Sequence, residues 1–157
     1  MSKPFTEMRM ILDARPARPV LREGFAIAEF RPEHAEAVHA LLAGAYAKGG
    51  GRVASFSSWW EQLRADEEYA PELVLLIRMQ DGTLVGVAQC WTSGFIKDFA
   101  VTEEWRGRGF GTALLQHAFD VFWARGVRWV GLKVADDNPS GAQRLYGQVG
   151  MRPWRAG

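Results

Sequence analysis

Apolar and polar residues alternate along Gly24–Phe30 ("GFAIAEF"), the pattern of a strand with one buried face. After Pro32 the period changes. Val38, Leu41, Leu42, Ala45 and Tyr46 recur at three- and four-residue intervals and predict one face of a helix. Lys48–Arg52 ("KGGGR") breaks that helix, and Ser57 or Ser58 caps a second, short one over "WWEQLRADEE". "ELVLLIRM", the turn "QDG" and "TLVGVAQCW" read as a hairpin, and "TSG" leads into a further strand, "FIKDFAV". The clearest helix follows: Gly111, Leu114, Leu115, Ala118, Phe119 and Phe122 form one stripe, with Gly126 at the C-terminal capping position. "VRWVGLKV" is another strand, and "DDNPSGAQRLYGQVG" holds a short helix ended by Gly150. The residues beyond leave little length for a last strand. Upstream, "RMIL" reads as a short strand and "ARPARP" as a proline-punctuated linker. Residues 1–22 are therefore expected to form an arm, and residues 23–157 a single domain.

The order β-α-α-β-β-β-α-β-α-(β) predicts an α/β chain with a mixed sheet and helices on its faces. It lacks the regular strand–helix alternation of a doubly wound nucleotide fold. At 157 residues the chain suits one sizeable core. A net charge of +1 argues against a dedicated nucleic-acid binder. No apolar run approaches the roughly 20 residues of a membrane span, and "MSKPFTEMRMILDARPARPV" lacks the apolar region of a signal peptide. The single cysteine, Cys90, can form no internal disulfide, which favours a reducing, cytoplasmic setting. Seven tryptophans are many for this length; a ligand cleft and ordinary packing both account for them.

Arg106 to Gly111, "RGRGFG", stands at the corner between the strand and the clearest helix. The dinucleotide fingerprint G-x-G-x-x-G does not fit, because Gly107, Gly109 and Gly111 are spaced G-x-G-x-G and Thr112 takes the place of the last glycine. A P-loop does not fit either, since no Lys-Ser or Lys-Thr pair follows. What remains is a helix N-terminus whose free amides and dipole attract an anion, with Arg106 and Arg108 as charge-assisted donors. A turn that merely joined strand to helix would need one glycine.

These residues resemble the R/Q-x-x-G-x-G/A signature of the GNAT superfamily of N-acetyltransferases. "IKDFAVTEEW" is similar to the strand and acidic linker that precede the signature, and "DDNPSGAQRLYGQVGM" to the family's second signature. The resemblance covers Gly24 to Trp154 and is strongest from Phe95 to Met151. Its wording is most similar to small-molecule acetyltransferases of the mycothiol-synthase-like kind. It implies a GNAT-like acyl-CoA N-acyltransferase fold, with a central, mostly antiparallel sheet flanked by helices. It also implies acetyl-CoA as acyl donor, with the pyrophosphate on the amides of Arg108 to Thr112, Phe110 among them, and pantetheine along the backbone of Phe99 and Val101.

The same resemblance gives Asn138 a contact to the pantetheine arm; the Asn-Pro pair equally suits a helix N-cap. Tyr146 stands eight residues after Asn138, one more than the commoner family spacing. The resemblance makes Tyr146 the acid that protonates the leaving thiolate, where packing alone reads it as a buried aromatic. Asp98, on the strand flanking the thioester, is the first choice of base for the acceptor amine. Glu29, at the end of the first strand, is close to where the family's acceptor site opens, whereas Glu103 and Glu104, nearer the phosphate loop, are expected to be solvated. His34 and His39 suit neither a metal pair nor a shared face, and no metal is expected. Cys90 without a matched histidine argues against a covalent acyl-enzyme. Phe56, Trp59 and Trp60 are read two ways: as a lid over an apolar or cationic acceptor, or as anchors of a helix on the core.

The expected function is direct acetyl transfer from acetyl-CoA to a primary amine of a small molecule or peptide. The alternative is a non-catalytic acyl-CoA-binding or sensing module, which the same glycine corner would serve. With so little chain after Gly150, a swapped N-terminal arm or a homodimer partner is expected to complete the sheet edge.

Overall fold

Glu72 to Cys90 forms the predicted hairpin, and a sheet grows outward from it. The computed structural model describes residues 5–47, 52–136 and 141–154. Its strands are β1 (Phe5–Ile11), β2 (Phe25–Glu29), β3 (Val74–Met79), β4 (Leu84–Cys90), β5 (Phe95–Val101), β6 (Trp129–Ala135) and β7 (Arg152–Pro153). They lie in the order β2-β3-β4-β5-β6-β1-β7. Every neighbouring pair is antiparallel except β5 and β6.

Among the described residues four α-helices flank the sheet: α1 (Ala35–Tyr46), α2 (Phe56–Ala65), α3 (Phe110–Ala124) and α4 (Ala142–Gln148). On one face α1 and α2 bury Val38, Leu42, Trp59 and Leu63 against Leu76, Val87 and Ala100. On the other, α3 sets Leu114, Leu115, Ala118 and Phe122 against Ile77, Val85, Ile96 and Val130, with Tyr146 of α4 in the same cluster. The stripe predicted for α3 is thus buried from Leu114 to Phe122, with Gly111 at its start partly exposed.

Three expectations change. Phe5–Ile11, expected in an arm outside the domain, is a strand inside the sheet, paired with β6 along all seven residues from Phe5↔Ala135 to Ile11↔Trp129. Within this chain β1 stands between β6 and β7 in the sheet. Met8 of β1 is buried in the core, while Glu7 and Arg9 pair with each other at 3.0 Å. The second helix starts at Phe56, with Ser55 rather than Ser57 or Ser58 at its N-cap and the Ser55 carbonyl accepting the Trp59 amide at 2.8 Å. The earlier start places Phe56, Trp59 and Leu63 on one face. Trp59 is only 4% exposed, and Phe56 and Trp60 pack beside it, so these aromatics anchor α2 on the sheet instead of forming a lid.

Buried titratable groups set the pH range of stability. Burial of the half-exposed His117 on α3 pushes its pKa down, against the pull of Asp120. Below about pH 6.5, the unfolded value, the unfolded chain binds this proton more readily than the folded one, and stability falls. Burial pushes the Cys90 thiol and the Tyr46 and Tyr146 phenols up. The folded chain keeps those protons after the unfolded chain has lost them. Stability therefore falls above about pH 8.5 for the thiol and above about pH 10 for the phenols. Melting temperature against pH should show a plateau between these limits. His117→Asn should flatten only the near-neutral part of the acid limb, and Cys90→Ala only the first part of the alkaline limb.

Candidate active site

The register between β4 and β5 runs Gly86↔Val101, Val87↔Ala100, Ala88↔Phe99 and Gln89↔Asp98, then jumps to Cys90↔Ile96. Lys97 is the extra residue of a β-bulge. A bulge reverses the facing of the residues beyond it. Ile96 lies in the α3-side core; past the bulge Ala100 lies in the α1-side core, and Phe99 and Val101 return to the α3 side. The bulge also bends β5 away from β6. The two strands pair only at Phe95↔Gly131 and Ile96↔Leu132, and beyond these they separate into a wedge. Gly94 fixes the closed end of the wedge. A Cβ there would sit 2.1 Å from the Trp129 carbonyl oxygen, and Gly131 N–H donates to the Gly94 carbonyl at 3.1 Å.

A cavity of about 430 Å³ opens from the wedge toward the start of α3, lined among others by Tyr46, Phe99, Val101, Arg106 and Tyr146. Gly107 (φ +74°) and Gly109 (φ +87°) take the left-handed conformations that turn the chain into α3. The Gly109 carbonyl accepts the Ala113 amide at 3.0 Å. Among the described residues no group accepts the amides of Phe110, Gly111 and Thr112, the usual state of a helix N-terminus. Gly111 also lets α3 approach α4, since a Cβ there would lie 2.8 Å from Leu145 Cδ2.

The side chains of the corner have mixed roles. Arg106 Nε donates to the Val101 carbonyl at 3.0 Å, so that carbonyl already has a donor and Val101's offer to a ligand is narrower than expected. The Arg108 guanidinium lies 4.9 Å from the centre of the Trp105 ring. Phe110 is buried, 4.6 Å from Phe25 ring to ring, so only its backbone faces a ligand.

Tyr146 of α4 is 5% exposed and meets Phe99 edge to face at 5.7 Å. Burial raises its pKa well beyond the ordinary phenol range, so it stays protonated and able to donate. Asp98, turned to the α1 side by the bulge, accepts the Tyr46 hydroxyl at Oδ1 (3.0 Å) and has Lys97 Nζ at Oδ2 (3.5 Å). The wall of the cavity is formed by Tyr46, not by Asp98. The sequence placed Tyr46 only on an apolar helix stripe. Its one distinguishing sign was its position at the end of that stripe, where the phenol oxygen clears the helix.

The remaining candidates separate. Asn138 lies outside the described residues. Glu29 lines a different, charged surface hollow with Arg31, His34 and Arg78. Neither Glu103 nor Glu104 lines the cavity. His34 Nδ1 accepts the Arg31 amide at 2.9 Å, and the His39 ring donates to the Ala54 carbonyl at 2.7 Å. Both bonds hold the chain around α1 in place. Among the described residues no cluster of three His, Cys, Asp or Glu side chains is placed to hold a metal. No helix among them is long and apolar enough to cross a membrane.

A splayed parallel pair, a glycine corner at a helix N-terminus and a phenol at the wedge meet at one cavity. The family model of the GNAT acetyltransferases matches residues 35–151, and the chain belongs to this family. A GCN5-related N-acetyltransferase from Sphaerobacter thermophilus is similar over 96% of this chain and 48% of its own, with 32% identity and a TM-score of 0.82. A GCN5-related N-acetyltransferase from Kribbella flavida shares 21% identity over 97% of this chain and 55% of its own, with a TM-score of 0.61. A tandem GNAT protein from the clavulanic acid biosynthesis pathway shares 18% identity over 97% and 50%, with a TM-score of 0.68. The chain thus spans about half the length of these structures. No curated protein sequence matches it.

Two glycines should respond in opposite directions to alanine. At Gly109 a Cβ meets nothing within 4 Å, but φ is +87°, so Gly109→Ala should cost about 1 kcal/mol of stability. At Gly44, inside α1, a Cβ also meets nothing and φ is ordinary, so Gly44→Ala should add about 0.5–1 kcal/mol. Denaturant titration of both variants checks the pair.

Proposed function

We propose that the chain is an N-acetyltransferase that passes the acetyl group of acetyl-CoA directly to a primary amine of a small molecule or peptide. The observation that carries this reading is the single cavity running from the uncapped start of α3, along β5, to the Tyr146 phenol. The amides of Arg108 to Thr112, with Arg106 and Arg108, suit a pyrophosphate. Phe99 lies past the two-residue pairing with β6, where the strand edge has no strand partner and suits an extended arm. Membership of a family of acetyltransferases supports the same assignment.

Acetyl-CoA supplies an acyl group activated as a thioester. Tyr146, held protonated by burial, donates its hydroxyl proton to the departing sulfur. Asp98 is the final acceptor of the proton that the amine loses. Cys90 is fully buried in the core with its thiol pushed up by that burial, which supports direct transfer without an acyl-cysteine.

Acetyl-CoA at about 100 times its Kd should raise the unfolding free energy by roughly 2.7 kcal/mol, whereas NADH and ATP should not. Tyr146→Phe should lower free-thiol release with an amine about 100-fold while leaving acetyl-CoA affinity nearly unchanged. Binding without turnover on any amine would favour the sensing module instead, and an equal rate in Tyr146→Phe would remove the assigned role of that phenol.

A further inference from the structure

Asp98 is set back from the place where an amine would meet a thioester. Its side chain is 14% exposed, and it lines neither the 430 Å³ cavity nor the narrow hollow of about 30 Å³ on the other side of the wedge. Tyr46, Phe99 and Tyr146 line both, so they stand where the two spaces meet. Of these three, Tyr46 alone is bonded to Asp98, through a 3.0 Å hydrogen bond from its hydroxyl to Oδ1. The other carboxylate oxygen faces Lys97. A carboxylate in that position reaches the cavity through the phenol in front of it.

We infer that Tyr46 is the group that meets the acceptor nitrogen and relays its proton to Asp98. This rests on the transferase reading above and adds a residue to it. In the step, one proton leaves the acceptor nitrogen for Tyr46 Oη while the Tyr46 hydroxyl proton moves to Asp98 Oδ1. The nitrogen keeps the electron pair of the broken N–H bond and uses it to attack the acetyl carbonyl carbon. Tyr46 begins and ends the step as a neutral phenol, and Asp98 ends it as a carboxylic acid.

The surroundings favour a concerted relay over a free phenolate. Burial of Tyr46, then the Asp98 charge and hydrogen bond, push its ionisation far above the ordinary range, and Tyr146 adds to this against the Phe99 backbone amide. Among the described residues, Lys97 and Asp98 on β5, Gln89 opposite Asp98 on β4, Tyr146 on α4 and Lys133 on the wall of the narrow hollow are the charged or polar groups around the pair. Packing alone would be served by phenylalanine at position 46. The hydroxyl is needed only if the carboxylate behind it must be reached.

Tyr46→Phe and Asp98→Asn test this together with the double variant. Each single change should lower kcat/KM for an amine about 100-fold near neutral pH. Acetyl-CoA affinity by calorimetry and the melting temperature should stay near those of the parent. The double variant should be no worse than the worse single one, because the two groups act as one relay. The deficit should shrink as pH rises toward the pKa of the amine, which then arrives already deprotonated. In the free protein, near-ultraviolet titration should show one phenol ionising at lower pH in Asp98→Asn, and no such change when Tyr46→Phe is also present.

A Tyr46→Phe enzyme with the parent rate and pH profile would overturn the relay and leave the transferase reading intact. So would deficits that multiply in the double variant, or a phenol titration indifferent to Asp98. A parent protein that binds acetyl-CoA but acetylates no amine would overturn both.

Discussion

In β5, Lys97 has no opposite number in β4, and every residue after it faces the side that strict alternation would deny it. The geometry of the site follows from this one insertion. Without it Asp98 would point into the α3-side core as a buried carboxylate, and Phe99 would point toward α1. With it, Asp98 reaches Tyr46, Phe99 packs on Tyr146, and β5 leaves β6 after two paired residues. Gly94 holds the strands together at the point where they part, so the opening has a fixed vertex.

Both phenols at the opening are neutral for the same reason: their surroundings are apolar enough to disfavour charge. They differ in what stands behind them. Tyr146 has a ring, Phe99, and so has only its own proton to give. Tyr46 has a carboxylate, and so has somewhere to send a proton it receives. Two identical side chains thus differ through their partners, on helices packed in the two different core clusters.

Local signals were legible in the sequence. Gly107 and Gly109 adopt the positive φ that their spacing at a strand–helix corner implied, and the α3 stripe is buried as its period required. The bulge was not legible, because a register shift is a property of two strands and leaves no mark in one. Of the N-terminal residues only "RMIL" read as a short strand, whereas the strand runs from Phe5 to Ile11. In the folded chain Arg9 lies against the rings of Trp154 (3.4 Å) and Trp129 (4.8 Å), which makes a charge part of the sheet surface. Trp59 and Trp60 were ambiguous since helix periodicity reports a buried stripe equally for a lid and for an anchor. Tyr46 was hidden within its helix stripe, where periodicity assigns a face but says nothing of where a long side chain ends.

The far wall of the opening is β6, and β6 is braced along its outer edge by β1. Phe5 pairs with Ala135, and the whole ladder joins residues at least 118 positions apart, the separation of Ile11 and Trp129. Such pairings have a high contact order and form slowly, because a long loop must close before any of their hydrogen bonds is made. The hairpin, α3 and the glycine corner join near neighbours and have no such delay. On a ribosome β1 is made well before β6 and waits for it. The glycine corner is therefore a fast, local structure, and the wedge beside it is braced only when β1 meets β6.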